Sequence, residues 1–189
     1  MRNLKVFLLT AISILSLEEG FAQSPICIEN WEGYCTFSEF LYDEPIGCGM
    51  QITKILSNTF ALEGEHSRTI TWDLKKGKYC GWGVDLTQGD PDNGFVATNV
   101  KYIYFKVKLG SGDEVFKINI KDTDNVQPGI SSISFLRKSV EQQEVRIPIQ
   151  KFGKKVNLTS LRDINFSFAK GAASKKGTIT IDDFRFEYE

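Results

Sequence analysis

The chain has 189 residues, 41% of them hydrophobic and 12% aromatic, with 23 basic and 24 acidic side chains and a formal net charge of −1. That length suits one domain with a real core. The even charge balance, with no basic tract or charged tail, excludes nucleic acid as the expected partner.

At the N-terminus, Arg2 and Lys5 precede an apolar run from Val6 through Leu17 and a small-residue site at Gly20 and Ala22. This pattern predicts a secretory signal peptide over residues 1–22 and a mature domain over 23–189. The apolar run is too short for a membrane-spanning helix, which needs about 20 residues. Nothing later in the chain is longer, so no transmembrane segment is expected and the destination is extracellular or periplasmic.

Four cysteines follow, Cys27, Cys35, Cys48 and Cys80. In an oxidising compartment they predict two disulfides, with three pairings open. Their spacing contains no close Cys-Cys pair and no His at ligand distance, which argues against a zinc site.

From about residue 50 onward, apolar residues recur with period two, the signature of half-buried strands. Ile70, Trp72 and Leu74 alternate with polar residues, as do Trp82, Val84 and Leu86, then Ile103, Phe105, Val107 and Leu109. The pattern continues through Phe116, Ile118 and Ile120; Ile133 and Phe135; Val145, Ile147 and Ile149; Ile164, Phe166 and Phe168; and a last strand from Thr178 to Tyr188. Clusters such as Gly89-Asp90-Pro91 and Gln127-Pro128-Gly129 supply the turns. Eight or nine strands, each with one apolar face, predict an all-β fold: a β-sandwich of jelly-roll type in a single domain.

The sole His, His66, lies in a polar turn, and no Gly-x-Ser-x-Gly elbow occurs. Triad and zinc hydrolases are thereby disfavoured. Paired carboxylates are harder to exclude, because the fold supplies their separation.

Five segments in order carry a resemblance: Asn99 to Gly110, Glu114 to Asp122, Glu144 to Phe152, Leu158 to Phe166 and Gly177 to Phe186. Their sequence resembles the galactose-binding-like jelly-roll carbohydrate-binding modules, nearest to family 11, and is similar to the related complex I assembly-factor domain around Tyr79 to Gly83 and Ile147 to Ile149. The resemblance implies non-catalytic binding of a polysaccharide or oligosaccharide, with a structural calcium joining the N-terminal segment to the last strand. Glu29, Glu32, Asp182 and Asp183 would hold that ion, since hard cations take oxygen ligands. Inward phase in the last strand switches between Ile181 and Phe184, which predicts a bulge at the Asp pair.

A sugar face needs aromatic platforms and planar polar groups. Tyr102 and Tyr104 lie opposite the apolar phase of their strand, and Asp85, Lys117, Asn119, Arg146, Asn165 and Ser167 are outward on theirs. The expected carbohydrate-binding set is Tyr102, Tyr104, Trp82, Asp85, Asn119 and Arg146, provided their strands share a sheet. The alternatives are a secreted scaffold with a protein partner, or a glycan hydrolase or lyase using two carboxylates.

Overall fold

The computed structural model describes residues 25–29, 37–43, 51–56, 66–75 and 77–188. Among these residues there are eleven strands, two short 3-10 turns and no α-helix. One sheet, sheet A, is ordered β3 (Gln51–Leu56), β4 (His66–Asp73), β11 (Lys176–Glu187), β6 (Tyr102–Leu109) and β9 (Gln143–Pro148), with β1 (Ile26–Glu29) paired to the far half of β11. The other, sheet B, is ordered β2 (Ser38–Asp43), β5 (Tyr79–Asp85), β10 (Leu161–Ala169), β7 (Lys117–Asp122) and β8 (Gly129–Ser131). Every pairing is antiparallel. The expected all-β sandwich is therefore the observed one.

Period-two alternation explains why these segments pair as they do. Ile103, Phe105, Val107 and Leu109 of β6 are all 2% exposed or less, and they meet the inward phase of β10, where Ile164, Phe166 and Phe168 are fully buried. Burying each such side chain stabilises the fold by about 1.5–3 kcal/mol. Both core tryptophans also satisfy their indole N–H, as buried tryptophans usually do. Trp72 stacks on Phe168, ring centroids 4.0 Å apart, while its Nε1 donates to the Ser174 carbonyl at 2.9 Å. Trp82 packs against Phe166 and donates to Glu39 Oε2 at 2.9 Å. Glu39 of sheet B also pairs with Arg68 of sheet A, clamping the two layers at one edge.

The segment around Ile133 departs from expectation. β8 ends at Ser131, and Ser132–Ser134 forms a 3-10 turn that leaves Ile133 72% exposed. Its cause is local: Phe116 N–H donates to Ser132 Oγ at 3.1 Å, and Ser132 N–H to the Phe116 carbonyl at 2.8 Å, so the chain folds over instead of extending. Phe135 still turns inward, edge-on to Phe105. The cysteine-bearing N-terminal segment contributes β1 and β2, which alternation alone did not reveal.

Two buried carboxylates serve loops. Glu114 accepts the Ser111 and Gly112 amides at 2.7 and 3.0 Å, where Gly112 takes the left-handed φ of 88°. Asp122 joins two loops by accepting from the Val126 and Asn157 amides, each at 2.8 Å. The predicted bulge is present: the β11 register shifts between Asp182 and Arg185, and Asp183 sits at φ 49°.

Candidate functional site

The sandwich has two outer faces, and the residues expected to form one sugar site fall on both. Tyr102 and Tyr104 on β6 and Arg146 on β9 share the outer face of sheet A, Tyr104 directly opposite Arg146. Asp85 and Asn119 lie on β5 and β7, which flank β10 in sheet B. Trp82 is fully buried in the core. The single groove is thus corrected. Alternation within a strand tells inward from outward, but not which sheet the strand joins.

On sheet A, Tyr104 is only 3% exposed. The Arg185 guanidinium lies 3.8 Å from its ring centroid and Arg146 lies 5.4 Å away, a cation–π sandwich. Glu187 holds both cations, accepting from Arg146 Nε at 2.8 Å and Arg185 Nη2 at 3.0 Å. Asp183 pairs with Arg185 and stands 3.7 Å from Lys106. Burial, and then the nearby charges of Glu144 and Asp183, push the Tyr104 phenol up. The outward position of Tyr104 holds, but its ring is covered rather than offered as a platform.

On sheet B the outer face is an array of planar polar groups. Across the strands, Phe40, Gly83, Asn165, Asn119 and Gly129 occupy one row of register. Asn165 Nδ2 donates to Asp163 Oδ1 at 2.7 Å. Asn119 Nδ2 donates to Asn165 Oδ1 at 2.7 Å and to Ser167 Oγ at 2.9 Å. A carboxylate only accepts, so Asp163 fixes which end of the Asn165 amide faces it, and that choice propagates to Asn119.

Glycines let these groups lie flat. A Cβ on Gly83 would stand 2.6 Å from the Phe40 ring and 2.7 Å from Asn165 Cβ, and one on Gly129 would stand 1.9 Å from Asn119 Oδ1. Phe40 is laid across β5 in the space that Gly83 leaves, half-exposed, while Tyr79, in the outward phase of the same strand, is 44% exposed.

Asp85 and Asp163 are direct register partners at one end of the face. Asp85 Oδ1 accepts from the Thr87 amide at 2.9 Å and hydroxyl at 2.7 Å. Burial pushes the Asp163 carboxyl up, partly offset by the Asn165 hydrogen bond and by Lys121 and Arg162. Phe40, Tyr79 and Asp163 are functional candidates that sequence reasoning missed. Tyr79-Cys80-Gly81-Trp82-Gly83 held the signal for part of this: two glycines in the outward phase beside a tyrosine describe an open floor. Asn165-Phe166-Ser167 has the Asn-x-Ser pattern of a glycosylation acceptor, but the Asn165 side chain is 2% exposed and locked in the amide array, closed to modification in the folded state.

Of the residues expected to hold a cation, Asp182 is 1% exposed and accepts the Asp183 amide at 2.7 Å. The Asp183 carboxylate instead faces Arg185 and Lys106. Glu29 pairs through its backbone with Phe184 beside the bulge; its side chain and all of Glu32 lie outside the described residues. Among the described residues no group of three His, Cys, Asp or Glu side chains converges. Neither described cysteine, Cys27 or Cys80, is a free thiol; Cys35 and Cys48 lie outside the described residues. No helix among the described residues is long and apolar enough to cross a membrane.

The family model described as carbohydrate binding domain 30 matches residues 49–188. Among solved structures, the chain is similar to the family 11 carbohydrate-binding module of the cellulosomal cellulase Lic26A-Cel5E of Clostridium thermocellum, at 14% identity and TM-score 0.57, over 89% of this chain and 96% of that one. It is also similar to the family 30 module of the cellulosomal cellulase Cel9D-Cel44B of the same organism, at 19% identity and TM-score 0.57, over 89% and 95%. A family 11 module from Clostridium thermocellum in complex with a β-1,3-1,4-mixed-linked tetrasaccharide aligns at 14% identity and TM-score 0.56, over 87% and 95%. No curated protein matches the chain.

Proposed function

The chain belongs to the carbohydrate-binding domain 30 family, and from that premise we propose that it is a secreted, non-catalytic module that binds a polysaccharide or oligosaccharide on the outer face of sheet B. The observation that carries this choice of face is the array Asp163, Asn165, Asn119, Ser167. Sugar hydroxyls are donors and acceptors at once, and planar amides and carboxylates held in fixed orientation pair with them without reordering. Phe40 and Tyr79 supply apolar surface for the C–H side of a pyranose ring. The outer face of sheet A is less suited, because Arg146 and Arg185 cover the Tyr104 ring, whereas Tyr79 on sheet B is open.

Two further features belong to this reading. The signal peptide is removed after Ala22, and the four cysteines form two disulfides in the oxidising compartment beyond it. A structural calcium belongs to the same reading: Asp182 at the β11 bulge would supply one oxygen ligand, with Glu29 and Glu32 as the further ligands expected from the sequence, while Asp183 is engaged by Arg185 and Lys106. The ion would tie β1 to the last strand.

Isothermal titration with a mixed-linked β-glucan oligosaccharide, the ligand class of a structural relative, is the first test, followed by a wider glycan array. Asn119→Ala should weaken binding about tenfold or more, the scale of a lost hydrogen-bonding group in a preformed site. Tyr104→Ala should leave it within about twofold, the range for a change on the opposite outer face that shares no partner with the site. The reverse pattern would move the site to sheet A, and silence across the array would sink the proposal. Release of reducing ends on prolonged incubation would instead favour the hydrolase alternative, with the register partners Asp85 and Asp163 as the carboxylates to substitute first.

A further inference from the structure

Two turns far apart in sequence, 73–78 and 169–176, meet at one end of the sandwich. The β4–β5 turn and the β10–β11 turn are joined by Leu74 N–H to the Lys175 carbonyl at 2.7 Å and Lys170 N–H to the Lys78 carbonyl at 2.9 Å. Segments 73–78 and 169–176 hold six lysines and one aspartate, a net +5 on a chain whose total is −1, so the rest of the molecule carries −6. Lys75, Lys78, Lys170, Lys175 and Lys176 are all exposed. The aspartate, Asp73, accepts the Lys75 amide at 3.0 Å and so is drawn into its own turn. The sequence shows no basic tract because each half is short; the fold assembles it.

Between the turns lies a cleft of about 370 Å³, with Leu74 and Ala173 as apolar floor and Lys75, Lys170 and Lys175 at its rim. That volume lies within the range of small-ligand clefts, about 300–1,000 Å³. Its walls are fixed: Trp72 Nε1 donates to the Ser174 carbonyl, and Ser174 Oγ accepts the Val115 amide at 2.8 Å. Gathering like charges costs folding energy and raises a local positive potential that draws anions. An apolar floor under a cationic rim matches a sugar ring carrying an anionic substituent, the C–H face down and the charge outward.

We propose that this cleft is a second saccharide site, specific for a glycan unit bearing a carboxylate or sulfate group. The choice of a saccharide as occupant rests on the glycan-binding reading above; the site itself is separate from the sheet B face.

The test measures binding to polygalacturonate, a sulfated galactan, a neutral mixed-linked β-glucan and double-stranded DNA, with the wild type, Lys170→Glu/Lys175→Glu and Asn119→Ala. The charge-reversal variant should lose about tenfold or more toward an acidic glycan, on the scale of charged hydrogen bonds. It should bind the neutral glucan and melt as the wild type does, and raised salt should weaken only the acidic ligands. Which of the two acidic polymers binds identifies the anionic group. The proposal is overturned if neither acidic glycan binds, if the variant keeps its affinity for them, or if DNA binds as tightly as they do. Failure of the sheet B reading is distinct: Asn119→Ala would then retain the neutral glucan, or neutral glucan would not bind at all.

Discussion

Glu187 lies between two guanidinium groups and shows how single residues set the stability of sheet A. Burial pushes its carboxyl up, but the hydrogen bonds and charges of Arg146 and Arg185 outweigh that and hold it below the ordinary range. A carboxyl depressed by folding binds fewer protons in the folded than in the unfolded chain, so its contribution is present above the unfolded value and lost as pH falls through the folded one. Asp163 has the opposite sign, since burial raises it and its ionisation weakens the fold as pH rises from the unfolded to the folded value. Melting curves between about pH 3 and 7 should therefore show a shallower acid limb for Glu187→Gln than for the wild type. An identical limb would remove Glu187 from the acid response. The outward position of Tyr104 was legible in the alternation of β6; its cover was not, because Arg185 arrives from β11, whose neighbours no local pattern reveals.

At the scale of elements, β11 is the strand on which most of sheet A depends, pairing with β4, β6 and β1. Its bulge was legible because inward phase switches parity at the Asp pair, a local signal. Sheet order was not, because strands adjacent in space, such as β5 and β10, have four other strands between them in sequence. Hence the outward residues were identified while their grouping into one groove failed. If calcium occupies the bulge, adding it to chelator-stripped protein should raise the melting temperature, and Asp182→Asn should abolish that rise. No rise in the wild type would eliminate the ion.

For the whole molecule, one core of stacked aromatics joins the layers, from Trp72 on Phe168 to Phe95 on Phe186 at 4.9 Å. Composition and period sufficed to read this architecture, since burying one apolar face per strand leaves few alternatives. The lysine end is not legible in the sequence because neither turn carries a basic tract by itself and only the fold joins the two. If the two disulfides form, each should contribute about 2–4 kcal/mol. Calorimetry with and without a reductant measures this, and an unchanged melting temperature would remove them from the stability of the fold.

The amide array on sheet B has one further consequence. Two of its hydrogen bonds, Asn119 to Asn165 and Asn165 to Asp163, run in series toward Asp163, so the face has a sense, with acceptor and donor positions that do not exchange on reversal. A polysaccharide also has a sense, from its non-reducing to its reducing end. A chain laid on this face backwards would set different hydroxyls and ring oxygens against the same fixed groups, so the two directions would not be equivalent, and whatever is attached beyond the module would point the favoured way each time.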